Sequence, residues 1–122
     1  MNSTVSLPAE TDKRWMRAAI AQSRYAEGRT KHNPPVGCVI LDKSGSLCAA
    51  AHTGVGGVPH AEAQALDMAG KYAEGGTVYV TLEPCAHHGK TPPCIDALIT
   101  ARVARIVVAV KDPDPRVNGR GL

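Results

Sequence analysis

Two short stretches of the chain hold residues that could bind a metal and move protons. His60-Ala61-Glu62 places a histidine two residues before a glutamate, and Cys85 and Cys94 flank eight residues that include two His and two Pro. One imidazole and two thiolates suit tetrahedral Zn²⁺ with the fourth position open to water. A carboxylate beside that water can pass protons to a leaving group. The sequence therefore predicts one Zn²⁺ per chain held by His60, Cys85 and Cys94, with Glu62 as the catalytic residue.

This combination of residues is typical of one class of enzyme. An H-x-E motif followed by P-C-x-x-C is the signature of zinc-dependent nucleobase deaminases, in which the Glu is not a ligand. Here eight residues, rather than two, separate the cysteines. Two alternatives stay open: a structural zinc site completed by His87 or His88, and a Glu62 that only stabilises the start of a helix through the helix dipole.

The elements that must position these residues follow from apolar periodicity and from the Gly and Pro positions. The pattern predicts helix 11–27, strands 36–41 and 47–51, helix 60–69, strand 77–82, helix 94–101 and strand 105–110. Thr11 or Asp12 would cap the first helix and Gly28 would end it, while Trp15 and Tyr25 would pack it on the sheet. The almost wholly apolar last strand is expected to be covered on both faces.

This order of elements predicts an α/β fold. Strands that alternate with helices form a sheet layered with helices, and the initial hairpin makes that sheet mixed. The later strands should be parallel, with right-handed crossovers. Cys38 and Cys48 lie in apolar strand segments and are expected to be core residues. A disulfide between them across the hairpin is the alternative.

Composition excludes several classes of protein. The 122 residues are 43% hydrophobic and 20% charged, which indicates one packed domain rather than a disordered chain. A net charge of +3 is too small to indicate a nucleic-acid or membrane surface. The chain lacks both a long apolar run and a basic start followed by an apolar block. We therefore expect a cytoplasmic protein whose partner is a small molecule, with no nucleic acid and no membrane.

Four segments together carry a resemblance to a known family. They are NPPVGCVI at 33–40, HAEAQAL at 60–66, TLEPCAHHGKTPPC at 81–94 and DPDPRVNGRG at 112–121. Over residues 15–122 the sequence resembles the pyrimidine deaminase of riboflavin biosynthesis, commonly the N-terminal half of a bifunctional deaminase/reductase. The resemblance implies a cytidine-deaminase-like three-layer α/β/α sandwich with a mixed sheet.

The resemblance also implies a substrate and residues that contact it. The substrate would be 2,5-diamino-6-ribosylamino-4(3H)-pyrimidinone 5′-phosphate, which loses its 2-amino group as ammonia. Asn33 matches a residue that holds the pyrimidine, and His87 and Lys90 match substrate contacts, with Lys90 placed for the 5′-phosphate. A lysine suits that task as a mobile point charge.

The sequence departs from the family pattern at three positions. His32 stands where the family usually has Pro before its Asn-Pro pair, and Asp114 replaces the Asn of the late motif. His52 lies eight residues before His60, one farther than the family's loop histidine, and is expected to be a loop residue.

The resemblance also bears on the chain's extent. Residues 1–122 are predicted to be one zinc-dependent deaminase domain, without the further helix, the further strand and the reductase domain found in the family. Strand 105–110 would then be exposed at an edge, and we expect a homo-oligomer. Two other functions remain: a deaminase of another nucleobase, a nucleotide or nucleic acid, and a non-catalytic zinc-stabilised interaction domain.

Overall fold

The chain forms a four-stranded sheet with helices on both faces. The computed structural model describes residues 10–30, 35–82 and 95–110. Its elements are α1 (Glu10–Arg24), β1 (Gly37–Leu41), β2 (Leu47–His52), α2 (Ala61–Ala69), β3 (Thr77–Leu82), α3 (Ile95–Thr100) and β4 (Arg105–Val110). All seven predicted elements are thus confirmed. The first helix ends three residues early, and Gly28 follows it with a φ of +78°.

The sheet is mixed, as predicted. Its strand order is β2-β1-β3-β4; β1 is antiparallel to both β2 and β3, and β3 is parallel to β4. One end of the sheet, which we call the upper end, is where β1 begins and where β2, β3 and β4 end. Because α2 follows β2 and α3 follows β3, both helices begin at this upper end.

Two apolar clusters lie on the two faces of the sheet. On one face, α2 and α3 pack against the strands through small and aliphatic side chains, including Ala61, Ala65, Leu98, Ile40, Val78 and Val80. On the other face, α1 packs through Ala19 and the partly buried Trp15 against Val39 and Tyr79. Successive β3 residues point to opposite faces, as the period of two requires. The predicted α/β/α sandwich is confirmed.

Helix α1 lies directly on β1 because one β1 residue has no side chain. A Cβ atom at Gly37 would meet the backbone oxygen of Ala19 and would lie 2.6 Å from the backbone nitrogen of Ser23. No larger residue fits that space without moving the helix.

Neither Thr11 nor Asp12 caps α1, contrary to expectation, because the helix already includes Glu10. Asp12 lies within the helix and is only 6% exposed. Its Oδ1 accepts hydrogen bonds from the Tyr79 hydroxyl at 2.5 Å and from Arg105 Nη1 at 2.9 Å, and its Oδ2 accepts one from Arg105 Nη2 at 2.6 Å. The hydrogen bonds from Arg105 lower the pKa of Asp12 to about 2. Burial and the bond to Asp12 raise the pKa of Tyr79 to about 12. The network ties α1 to β3 and β4.

Strand β4 is less covered than its apolar sequence suggested. Ala109 is buried, but Val108 is 42% exposed. The prediction that both faces of this strand are covered is therefore wrong. Among the described strands, β4 pairs only with β3 and is therefore an edge strand. Cys38 is buried in the core and the half-buried Cys48 packs against it, as predicted, and no disulfide joins the two. Among the described helices, none has the length and apolar character needed to cross a membrane.

Candidate active site

The described elements next to the predicted site residues in the sequence meet at the upper end of the sheet. There β1 begins, β2 and β3 end, and α2 and α3 begin. His60 and Glu62 belong to the described residues. The other predicted site residues lie outside them: Asn33, Cys85, His87, Lys90 and Cys94.

His60 is the residue from which α2 starts. It has extended backbone angles, φ −68° and ψ 154°, and its side chain makes no capping hydrogen bond to the helix. Its side chain is exposed at the upper end of the sheet. The helix thus begins at His60, as the sequence predicted, and the His60 side chain lies exposed at that start.

Glu62 lies in the first turn of the same helix but is buried, with only 2% of its surface exposed. Its Oε2 has no hydrogen-bond partner among the described residues. Burial raises the pKa of Glu62, while its own backbone N–H and the neighbouring His60 act in the opposite direction. Because an unpaired buried carboxylate oxygen is costly, such an atom marks a position where another group is expected to bind.

These surroundings fit a zinc ion. A cation beside Glu62 would offset the cost of its buried charge, and an exposed imidazole is a common zinc ligand. Within the described ranges, no group of three His, Cys, Asp or Glu residues could hold a metal. The two thiols predicted as further ligands are sequence neighbours of elements that meet at the upper end. Cys85 is three residues past the end of β3, and Cys94 directly precedes α3.

Two threonines that the sequence analysis did not select hold the start of β1. Thr53 Oγ1 accepts a hydrogen bond from the backbone N–H of Val36 at 2.8 Å, and Thr81 Oγ1 accepts one from Gly37 at 2.9 Å. Both threonines are buried. They fix the strand that begins four residues after Asn33 in the sequence. Thr81 begins the segment TLEPC, which is the only signal that could have indicated its role.

His52 is not in a loop, contrary to expectation, but is the last residue of β2. Its Nδ1 lies 3.2 Å from Oε1 of Gln22 on α1, and its ring lies 5.5 Å from that of Tyr25, between ring centroids. Tyr25 is 63% exposed, so it packs against this imidazole rather than in the core under α1. Gln22 and Tyr25 together orient the His52 ring at the upper end of the sheet.

Residues 9–110 match the family described as "Cytidine and deoxycytidylate deaminase zinc-binding region". The chain belongs to this deaminase family. It is 51% identical over 111 residues to the riboflavin biosynthesis protein RibD of Escherichia coli (strain K12), covering 91% of this chain and 30% of that protein. It is 47% identical over 108 residues to the diaminohydroxyphosphoribosylamino-pyrimidine deaminase of Buchnera aphidicola subsp. Acyrthosiphon pisum, covering 88% of this chain and 73% of that protein.

Solved structures of RibD deaminases show the same fold. The Acinetobacter baumannii RibD, form 2, superposes with a TM-score of 0.71 at 43% identity, covering 93% of this chain and 34% of that one. A deaminase/reductase from Thermotoga maritima superposes with a TM-score of 0.68 at 40% identity, covering 86% and 31%. The chain thus spans about a third of the length of several relatives. The expected relationship to the riboflavin-pathway deaminases and the expected cytidine-deaminase-like fold are both confirmed.

Proposed function

We propose that the chain is a zinc-dependent hydrolytic deaminase of the diaminopyrimidine ribosyl phosphate named above, releasing its 2-amino group as ammonia. The proposal rests on Glu62, a buried carboxylate with an unpaired oxygen in the described part of the chain, two residues from an exposed His60 at the upper end of the sheet. Relatives named as deaminases of such a pyrimidine support the choice of substrate.

His60, Cys85 and Cys94 would hold the zinc ion. This donor set of one imidazole and two thiolates suits a catalytic site, because three protein ligands leave one position open. When bound, zinc supplies Lewis-acid activation of water at neutral pH. The start of α2 places a helix dipole, positive at this end, beside the site, which favours anionic groups such as thiolates.

Glu62 would move the two protons that the reaction transfers. As the water oxygen adds to C2 of the ring, Glu62 passes one proton from the water to the ring nitrogen. It then passes the proton of the new C2 hydroxyl to the amino group, so that the bond between C2 and the amino nitrogen breaks and a carbonyl and ammonia result. The unpaired Oε2 is suited to this task because no described residue competes for its lone pairs.

Three further residues would bind the substrate. Asn33 would hold the pyrimidine, His87 would contact the substrate, and Lys90 would pair with the 5′-phosphate. The threonine hydrogen bonds to Val36 and Gly37 support the assignment of Asn33, since they fix the strand that begins four residues after it in the sequence.

Ammonia release from the authentic diaminopyrimidine substrate tests this proposal. The zinc-loaded chain should release ammonia, chelator should abolish the release, and added zinc should restore it. Deamination of cytosine or single-stranded nucleic acid instead would show a different deaminase. Stoichiometric zinc without any ammonia release would show a zinc-stabilised interaction domain.

A cytoplasmic location and a homo-oligomeric state stay predictions. The outer edge of β4 is the surface on which we expect association, because this strand pairs on one side only within the described sheet. Sedimentation at high concentration would contradict the second prediction if it showed only a monomer.

A further inference from the structure

Gln64, in the second turn of α2, makes two contacts that the proposed chemistry does not use. Its Nε2 lies 2.6 Å from the backbone oxygen of His52 and 3.1 Å from that of Pro59. Both partners are carbonyl oxygens, which only accept hydrogen bonds, so the amide group of Gln64 must donate to both. One side chain therefore joins the last residue of β2 to the residue directly before His60.

The same residue holds the backbone on both sides of His60. The backbone N–H of Gln64 donates to the oxygen of His60 at 3.1 Å, while its side chain donates to the oxygen of Pro59. Pro59 also accepts a hydrogen bond from the N–H of Gly54 at 3.0 Å, which closes the loop before the helix. The Gln64 side chain therefore adds a second link between the end of β2 and the residue before His60, beside the backbone bond from Gly54.

Apolar packing contributes little to fixing this loop. Its two valines, Val55 and Val58, are 77% and 63% exposed. Hydrogen bonds must therefore hold the loop, and Gln64 is the side chain on α2 that provides two of them.

We propose that Gln64 is a positioning residue for the zinc ligand His60, and that it acts by holding the backbone from which the imidazole extends. This inference rests on the proposed function, since it takes His60 to be a ligand. Outer partners that fix a ligand commonly raise metal affinity by roughly 10- to 100-fold. Because Gln64 acts through the backbone, we expect an effect near the lower limit.

The test compares Gln64→Met with Met68→Gln in the full chain. Methionine has nearly the length of glutamine but donates no hydrogen bond. Met68→Gln is the matched control, because it makes the reverse exchange on the same helix at a side chain that is 56% exposed. Zinc affinity is measured by competition with a chelating dye, and Co²⁺ absorption reports ligand geometry. We expect Gln64→Met to bind zinc on the order of 10-fold more weakly, with a changed Co²⁺ spectrum. Met68→Gln should match the unaltered chain in both.

Gln64→Glu separates positioning from charge. Its carboxylate would face two carbonyl oxygens without a hydrogen to donate, so positioning predicts weaker zinc binding here as well. A purely electrostatic role predicts the opposite, because an added negative charge near the site attracts the cation. Tighter zinc binding by Gln64→Glu would overturn the proposal.

The remaining outcomes also decide the question. Unchanged zinc affinity in a Gln64→Met chain that has lost only thermal stability would overturn the role of Gln64 and leave the proposed function standing. If Gln64→Met and Gln64→Glu both lose cooperative unfolding in the absence of metal, the positioning role is also overturned, because the amide would then be required for folding. An unaltered chain that takes up no zinc would overturn the proposed function together with this inference.

Discussion

Asp12 and Glu62 are two buried carboxylates on opposite faces of the sheet, and their surroundings differ. Asp12 accepts three hydrogen bonds, two of them from Arg105, and its pKa is lowered to about 2. Glu62 has an oxygen without a partner in the described part of the chain, and burial raises its pKa. The carboxylate with partners holds elements together, whereas the one without them is suited to proton transfer.

Burial alone does not separate the two residues. Asp12 is 6% exposed and Glu62 is 2% exposed. Their partners separate them: a buried charge with good hydrogen bonds contributes to folding, and a buried charge without them costs stability. We expect substitutions of Asp12 to affect stability and substitutions of Glu62 to affect catalysis.

The largest expected effect is that of Glu62→Gln on turnover. Removing a general acid–base group lowers kcat by roughly 10²- to 10⁴-fold, while zinc content should stay that of the unaltered chain because Glu62 is not proposed as a ligand. Ammonia release and metal analysis on the same sample measure both. Glu74→Gln, at an exposed position, is the matched control. Near-normal turnover in Glu62→Gln would remove the distinction between the two carboxylates.

Asp12→Asn should show the reverse pattern. Hydrogen bonds to a charged group contribute about 1.5–3 kcal/mol each, but Arg105 is 53% exposed, and solvent weakens its part. We expect the free energy of unfolding to fall by about 2 kcal/mol in total, with kcat retained once the chain is folded. Urea unfolding measures the change, and Asp67→Asn on the exposed side of α2 is the control. An Asp12→Asn chain as stable as the control would contradict the structural role.

Acid should remove the contribution of Asp12 in a defined pH range. Its pKa is about 2 in the folded chain against an ordinary value of 3.8, so the stabilisation is complete above the ordinary value and is lost as pH falls through the lower one. The difference in unfolding free energy between the unaltered chain and Asp12→Asn should shrink by about 2 kcal/mol from pH 5 to pH 2. Urea unfolding of both chains at several pH values measures this difference. A difference that does not change with pH would show that Asp12 is not held charged by its partners.

Thr81 tests whether partners or location decide the role of a polar residue. It lies at the upper end of the sheet, like Glu62, but it is paired, like Asp12, because its Oγ1 accepts from Gly37 N–H. Thr81→Val leaves that buried donor without a partner and should cost about 1–3 kcal/mol of stability without loss of zinc. Thr81→Ser keeps the hydroxyl and should lose less. Loss of zinc by Thr81→Val at unchanged stability would show that location at the upper end, rather than hydrogen bonding, decides the role of the residue.

The sequence was sufficient for the elements. Strands 77–82 and 105–110 match their predicted bounds because alternation or a continuous apolar run marks them locally. His60 and Glu62 were selected because an H-x-E motif together with two later cysteines is typical of zinc-dependent deaminases, and their roles stay predictions. The role of Asp12 was not predictable, since its partners Tyr79 and Arg105 are 67 and 93 residues away.

Gln64 shows a second reason for missed predictions. Its two acceptors are backbone oxygens, which every residue has, so no pattern of residue types indicates the contact. The same holds for Thr53 and Thr81, whose hydroxyls bind backbone N–H groups. Such residues become visible only when the fold places the backbone beside them.

Zinc K-edge X-ray absorption on the zinc-loaded full chain tests whether His60, Cys85 and Cys94 hold the metal. This ligand set predicts two sulfur ligands at about 2.3 Å and one imidazole nitrogen at about 2.0 Å. Variants His60→Ala and Cys85→Ala should lose one nitrogen and one sulfur, respectively. Four protein ligands around the zinc, or a spectrum that does not change in His60→Ala, would contradict it.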